Sequence, residues 1–323
     1  MTKTEFYDSF EKSLSEVMKD KGFIFQRIHM PKINEPGYEG LSVRIDDNTA
    51  SPVIDLDSLY LSFCRGETVE SLAEKISGKL DHFSLDGIRV SDLSDPDFVI
   101  PRLYCSVIDA AGNENVLKTC PHELIADLAV IPRCRITDSA SCLVTNDQMR
   151  SLRLSGEEIM AQAHMNDHRQ GYSCRGITEV ISEMMKNQEI SGEMSEGFPV
   201  AEDPDSMYVL SKNSGMDGAS AVTDRSFLRS VHDRLGEDFY ILPSSRHEVL
   251  AIPYSHSPGI DELKEMVRSV NLNEVDPSDK LSDQVYFFNG RSFGLAESIQ
   301  PVQEEACRTG CELSETVTNA RSR

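Results

Sequence analysis

Five polar residues stand side by side in YILPSSRHEVLAIP, residues 240–253: Ser244, Ser245, Arg246, His247 and Glu248. A hydroxyl, an imidazole and a carboxylate are the parts of a nucleophilic triad, in which a base reaches the nucleophile and an acid orients the base. No G-x-S-x-G elbow accompanies them, and neighbours on a strand, as His247 and Glu248 would be, point to opposite faces. Alternating apolar residues flank the cluster, which predicts a hairpin tip whose serines and histidine satisfy the loop backbone. Ser244, Ser245, His247 and Glu248 are therefore a candidate binding or structural turn, and no catalytic residue is assigned.

The remaining reactive side chains are weaker signals. His-Glu occurs in PHELIAD (121–127) and in RHEVLAI (246–252), both times without the second histidine of H-E-x-x-H. His122-Glu123 follows Pro121 and suits a helix or turn start. His164 and His168 in AHMNDH have i, i+4 spacing with Asp167 between them, but no distant third ligand is evident, so an exposed helix end is expected. Cys307 and Cys311 in ACRTGC match neither C-x-x-C nor half of a zinc site with a second pair nearby. KNSGMDGAS (212–220) has two glycines after Lys212, as hairpins do, and neither G-x-x-x-x-G-K-[ST] nor G-x-G-x-x-G occurs. Acidic pairs such as Asp46-Asp47 and Glu157-Glu158 are ordinary in so acidic a chain. Met149, Met160 and Met165 fall on apolar helical spacing, which predicts core packing. Neither cofactor nor metal is expected.

Acidic residues outnumber basic ones 54 to 32 over 323 residues, a formal net charge of −22. That field repels phosphate backbones and anionic lipid, so nucleic acid and membrane are poor partners. Hydrophobic residues at 39% and charged residues at 27% predict a folded globular chain without Trp anchors. The N-terminus lacks the apolar core of a signal peptide, and no apolar run approaches a bilayer span. Eight scattered cysteines suit buried thiols in a reducing compartment, so the cytoplasm is expected.

These residues must be positioned by an α+β fold, read as two domains with mainly antiparallel sheets flanked by helices. The first domain covers 1–165: an amphipathic helix over 3–20, strands GFIFQRIHM, GLSVRI and SPVIDL, two helices, strand LYCSVID, and a hairpin of DLAVIPRCRIT and ASCLVT. NDQMRSL and a longer helix started by Ser155 follow. Residues 166–204 read as a helix-containing acidic linker, with ITEVISEMMKN as its helix. The second domain, 205–300, reads ββαββαββ, with SMYVLS and ASAVT as its first strands and its helices on one face of the sheet. Asp224 caps its first helix, Gly236 closes it, and Asn289-Gly290 predicts a type I′ turn. Residues 301–323 read as a disordered tail. DSASCLVTNDQMRSL and DGASAVTDRSFLRSV share a turn, a strand and a capped helix, either as a repeated β-β-α unit or by convergence on one cap.

The stretches MYVLSKNSGMDGASAVTD, LGEDFYILPSSRHEVLAIP and ELKEMVRSVNLNEVDPSDKLSDQVYFF resemble an uncharacterised bacterial family of Clostridia-type gut bacteria, domain of unknown function 5688. The likeness extends upstream through SPVIDLDSLY, CPHELIADLAVIPRCRI and CLVTNDQM. It implies a bacterial origin and carries no reaction, cofactor or catalytic residue. Arg246 departs from the pattern, since an apolar residue is expected inside the Ser-Ser-x-His-Glu turn. The resulting expectation leans away from an enzyme, towards a protein- or peptide-binding adaptor. The alternative is a hydrolase or transferase of unfamiliar type with a site near the Ser244–Glu248 turn or in the interdomain cleft.

Overall fold

In a computed structural model, the structure describes residues 1–45, 53–81, 90–137, 140–187, 207–299 and 301. Asp46-Asp47, the acidic stretch after residue 187, and Cys307 and Cys311 in the tail lie outside the described residues.

The chain begins with helix α1 (Lys3–Val17), started by a capping box between Thr2 and Glu5. Its Phe6, Phe10 and Leu14 recur at helical spacing and are buried. They pack against strands β1 (Phe23–Lys32), β2 (Glu35–Ile45) and β3 (Val53–Asp55) and helices α2 (Leu56–Cys64) and α3 (Val69–Asp81). Thr68 caps α3 by accepting from the Ser71 N–H. The β1–β2 hairpin turns at Asn34, which has φ 59° and gives its side-chain amide to the carbonyls of Ser278 and Lys280.

A second antiparallel sheet follows three short helical turns, one of them α4 (Pro96–Val99). Strand β4 (Leu103–Asp109) pairs with β6 (Leu128–Arg135), and β6 also pairs with β5 (Glu123–Ile125) and β7 (Ser141–Leu143). Helix α5 (Glu114–Leu117) lies between β4 and β5, and α6 (Asn146–Leu152) and α7 (Gly156–Gln170) follow β7. Ser155 and Glu158 form a capping box at the start of α7. The helix continues five residues beyond Met165, so Asn166, Asp167 and His168 are helical.

The third sheet is all antiparallel, in the order β13-β12-β10-β11-β9-β8. Its strands are β8 (Tyr172–Gly176), β9 (Tyr208–Lys212), β10 (Phe239–Leu242), β11 (Glu248–Pro253), β12 (Tyr286–Phe288) and β13 (Phe293–Leu295), with helices α8 (Ile177–Asn187), α9 (Arg225–Leu235) and α10 (Ile260–Asn273). Strand β8 comes from the 166–204 segment. Its sequence YSCRG is too polar and too short for alternation to reveal.

Three readings are corrected here. ASAVT is not a strand: Gly218–Thr223 form a 3-10 turn wedged against β9 and β11. Gly218 sits so close to the backbone that a Cβ there would lie 2.3 Å from the His247 carbonyl oxygen and 2.6 Å from the Lys212 nitrogen. The two echoing segments therefore share a capped helix, Thr145 before α6 and Asp224 before α9, while only the first has a strand. The helices of the third sheet lie on both faces. Phe239, Ile241, Val249 and Ala251 share a core with Leu228 and Val231 of α9, while Leu242 and Ile252 pack with Leu263 and Val267 of α10. Finally, Asn289-Gly290 is not a type I′ turn, because only Gly290 is left-handed; the Asn289 side chain holds the loop by accepting from the Arg291 and Ser292 N–H groups.

The second and third sheets share one core. Cys105, Val107, Val130 and Cys134 lie in the same cluster as Phe239, Ile241 and Phe288. Burying each such aromatic ring contributes on the order of 1.5–3 kcal/mol, so the two sheets are held by apolar area as well as by the polar contacts described next.

Candidate functional site

Antiparallel pairing with β6 serves one edge of β4, and the other edge runs into the protein interior. Buried backbone groups there need partners, and side chains supply them. Asn166 Nδ2 donates to the carbonyls of Ile100 (2.8 Å) and Leu103 (2.9 Å). The Cys105 N–H donates to Asp167 Oδ2 at 2.9 Å, and Lys212 Nζ donates to the Cys105 carbonyl at 2.8 Å. Lys212 and Asp167 also pair directly at 2.8 Å, and both side chains are 1% exposed. Burial raises the Asp167 pKa against the opposing pull of Lys212 and the Cys105 N–H. Further along β4, the Tyr104 hydroxyl and the Ser106 hydroxyl donate to Asp217 at 2.9 and 2.7 Å. Burial, then the Asp217 charge, pushes the Tyr104 pKa up to about 12.

That polar seam decides the orientation of the 244–248 turn. His247 points inward: its Nδ1 accepts from the Asp217 N–H at 3.3 Å. The His247 N–H donates to Ser245 Oγ at 3.1 Å, and the Ser245 N–H donates to the Glu248 carbonyl at 3.1 Å. Arg246 Nε lies 2.9 Å from Asp279 Oδ1 and 3.9 Å from Asp217, which gives this cation its reason for standing in the turn. The Arg246 carbonyl accepts from the Ala219 N–H. Among the described residues neither Ser244 nor Ser245 makes a hydroxyl–imidazole hydrogen bond to His247. Burial raises the Glu248 pKa, with His247 and Arg175 opposing it. The nucleophile, base and acid are thus brought close together but not into a relay.

A different constellation lines an open cleft of about 660 Å³ beside α7. His164 and His168, one helical turn apart, reach in different directions. His164 Nε2 lies 3.0 Å from Glu123 Oε2 on β5, and His168 Nδ1 lies 2.7 Å from Asp224 Oδ2 at the cap of α9. The imidazoles therefore bridge α7 to two other elements instead of converging, while Asp167 between them faces inward. No grouping of three or more metal-ligating side chains occurs among the described residues. Below His164, its Nδ1 lies 3.6 Å from Cys105 Sγ and 3.5 Å from Thr223 Oγ1. With Nε2–H donated to Glu123, Nδ1 is the acceptor for the thiol. Cys105 is fully buried, and that burial, reinforced by Asp167, holds its pKa well above the ordinary thiol value.

The rim of this cleft is apolar. Leu124 on β5 is 67% exposed and Met165 on α7 is 53% exposed. Met165 is a correction to core packing; Met160, five residues earlier, is buried as expected. Arg169 and Arg225 are exposed at the same cleft and make no ion pair with any described residue.

A model of a family of unknown function, DUF5688, matches residues 3–290. The chain belongs to that family. The match reaches all three sheets, takes in the 244–248 turn and the cleft, and ends before β13. No curated protein and no solved structure matches the chain. No helix among the described residues is long and apolar enough to cross a membrane.

The sequence did not single out Glu123 as part of a site. Glu123 starts β5 rather than a helix or turn, and the His122 beside it lies 3.1 Å, through Nδ1, from the Cys120 carbonyl. Cys105 is equally silent in the sequence, a thiol inside an apolar strand. The alternating pair Glu123-Leu124 before the tight turn at Ala126 (φ 55°) was the one available signal of an edge strand with an exposed apolar residue.

Proposed function

We propose that the protein is a non-enzymatic binding protein that receives an extended peptide segment of a protein partner in the cleft between β5, α7 and the start of α9. The observation that carries this reading is the pairing of exposed Leu124 and Met165 across an open cleft whose remaining exposed side chains include two arginines. Large apolar side chains left in water at the rim of a cleft mark recognition surfaces. β5 lies at the edge of its sheet, and an edge strand offers backbone groups to an incoming strand. In a chain of net charge −22, Arg169 and Arg225 favour a segment with an acidic residue beside its apolar anchor. Free thiols at the six described cysteines support work in a bacterial cytoplasm.

Panning a random peptide library on the full chain tests the proposal. Selected sequences should combine an apolar anchor with an acidic residue. Leu124→Asp or Met165→Asp should abolish their capture, and Arg169→Glu with Arg225→Glu should shift the selection towards basic peptides. Absence of any selected peptide, or selection indifferent to all four substitutions, would overturn it.

One observation favours an enzymatic reading in second place: thiol, imidazole and carboxylate follow in the order Cys105, His164, Glu123. It requires a substrate to reach a thiol that is fully buried. Alkylation of Cys105 by iodoacetamide, faster than that of free cysteine and slowed at least tenfold by His164→Ala, would put this reading first; an inert Cys105 removes it.

A further inference from the structure

Cys134 on β6 stands directly opposite Cys142 on β7. Two residues to either side, the Val144 N–H donates to the Pro132 carbonyl (3.0 Å) and the Ile136 N–H donates to the Ala140 carbonyl (2.8 Å). The two cysteines therefore occupy a hydrogen-bonded position of the antiparallel ladder. At such a position the Cα atoms are about 5.5 Å apart and both side chains leave the same face. That Cα separation lies inside the range of about 4.4–6.8 Å that a disulfide spans. The Cβ atoms of such a pair, about 5.5 Å apart, exceed the roughly 3.5–4.5 Å of an unstrained bridge, so a bridge here draws the strands together and is strained and readily reduced. Cys134 is fully buried, and Cys142, packed against the same core, is the less buried residue of the two.

We propose that Cys134 and Cys142 are a reversible dithiol–disulfide pair oxidised by hydroperoxides, with Cys142 the attacking sulfur and Cys134 the resolving one. The neighbouring Cys134 thiol, and then the Arg133 guanidinium, lower the Cys142 pKa, while Cys142 and burial raise that of Cys134, so the thiolate resides on Cys142. Arg133 is fixed for this by its bonds to Ser141 Oγ and the Ser141 carbonyl. The Cys142 thiolate attacks one peroxide oxygen, the O–O bond breaks, and the leaving hydroxide or alkoxide takes a proton. Cys142 is then a sulfenic acid. The Cys134 sulfur attacks the Cys142 sulfur, the S–S bond forms, the S–O bond breaks, and the departing hydroxide leaves as water with the Cys134 proton. Two thiols have lost two electrons and the hydroperoxide has gained them. The bridge fastens the three-residue strand β7 covalently to β6. This proposal is independent of the peptide-binding reading.

The test uses the full chain with hydrogen peroxide as oxidant and free glutathione in the same tube as a reference thiol. Differential alkylation and mass spectrometry then locate each of the eight cysteines. The expected result is the loss of two thiols, joined as Cys134–Cys142, with a 2 Da fall in mass reversed by dithiothreitol. Cys134→Ala should leave a Cys142 sulfenic acid that dimedone traps, and Cys142→Ala should leave Cys134 reduced. If Cys134 and Cys142 stay reduced while glutathione is oxidised, or if the bridge joins other cysteines, the proposal is wrong. The wild-type map decides this even if a variant fails to fold.

Discussion

Lys212 Nζ lies 2.8 Å from Asp167 Oδ2 with both side chains out of solvent, and between them they satisfy the N–H and the carbonyl of Cys105. The pair stands where another protein would place a neighbouring strand. Its role is to close the inner edge of β4 while leaving room for α7 and β9 to pack there.

Removing one partner should leave the other charge buried and unpaired. Lys212→Met is expected to lower unfolding free energy by about 3–5 kcal/mol in urea titrations. The double variant with Asp167→Asn should lose less than Lys212→Met alone, because no carboxylate is then stranded. An additive loss would refute the pairing.

Asp224 ties pH to helix α9. Burial raises its pKa, but hydrogen bonds from Ser226, His168 and the Phe227 N–H outweigh that and leave it below its ordinary value of 3.8. A depressed carboxyl contributes stability that is present above the unfolded-state value and lost as pH falls through the folded-state value. Asp224→Ala should therefore cost about 1 kcal/mol at pH 7, and that difference should shrink as pH drops below 3.8. Parallel denaturation curves at several pH values measure it; a difference independent of pH contradicts the assignment.

His247→Ala should lower stability by about 1–2 kcal/mol, through loss of the acceptor for the buried Asp217 N–H. Peptide capture by the cleft should be unchanged. Loss of capture in a variant that still unfolds cooperatively would move the binding surface to the 244–248 turn.

Gly218→Ala meets backbone atoms of His247, Lys212 and Ser211 on three sides. Backbone cannot swing aside as a side-chain end can, so the cost should reach or exceed the upper part of the overpacking range, about 3 kcal/mol. Circular dichroism melts would show it, and a variant with near-normal stability would mean that the 3-10 turn is loosely held.

Much of the secondary structure was legible because it rests on local signals. LYCSVID and EVLAIP are strands over 103–109 and 248–253, NDQMRSL is a helix, and Asp224 and Gly236 bracket α9 as their types require. The misses share a cause, which is tertiary contact overriding local pattern. ASAVT reads as an apolar run, yet its small side chains let it coil as a 3-10 turn between β9 and β11. YSCRG looks like loop, yet β9 supplies a partner. In the 244–248 turn the Ser245 hydroxyl serves the turn's own backbone, whereas the partners of His247 and Arg246, Asp217 and Asp279, are brought by other loops. Nothing in the sequence near Cys105 or Glu123 announces that α7 will lay His164 between them.

The way β4 is closed also sets an order of assembly. Its inner edge waits for Asp167, 62 residues later, and for Lys212, 107 residues later. During synthesis the β4–β6 hairpin can form well before either arrives. A nascent chain halted in that interval presents an apolar strand with an uncovered rim, the surface on which unrelated strands stick. Aggregation during expression should therefore depend on how quickly the segment through Lys212 follows, a kinetic demand that the finished protein no longer displays.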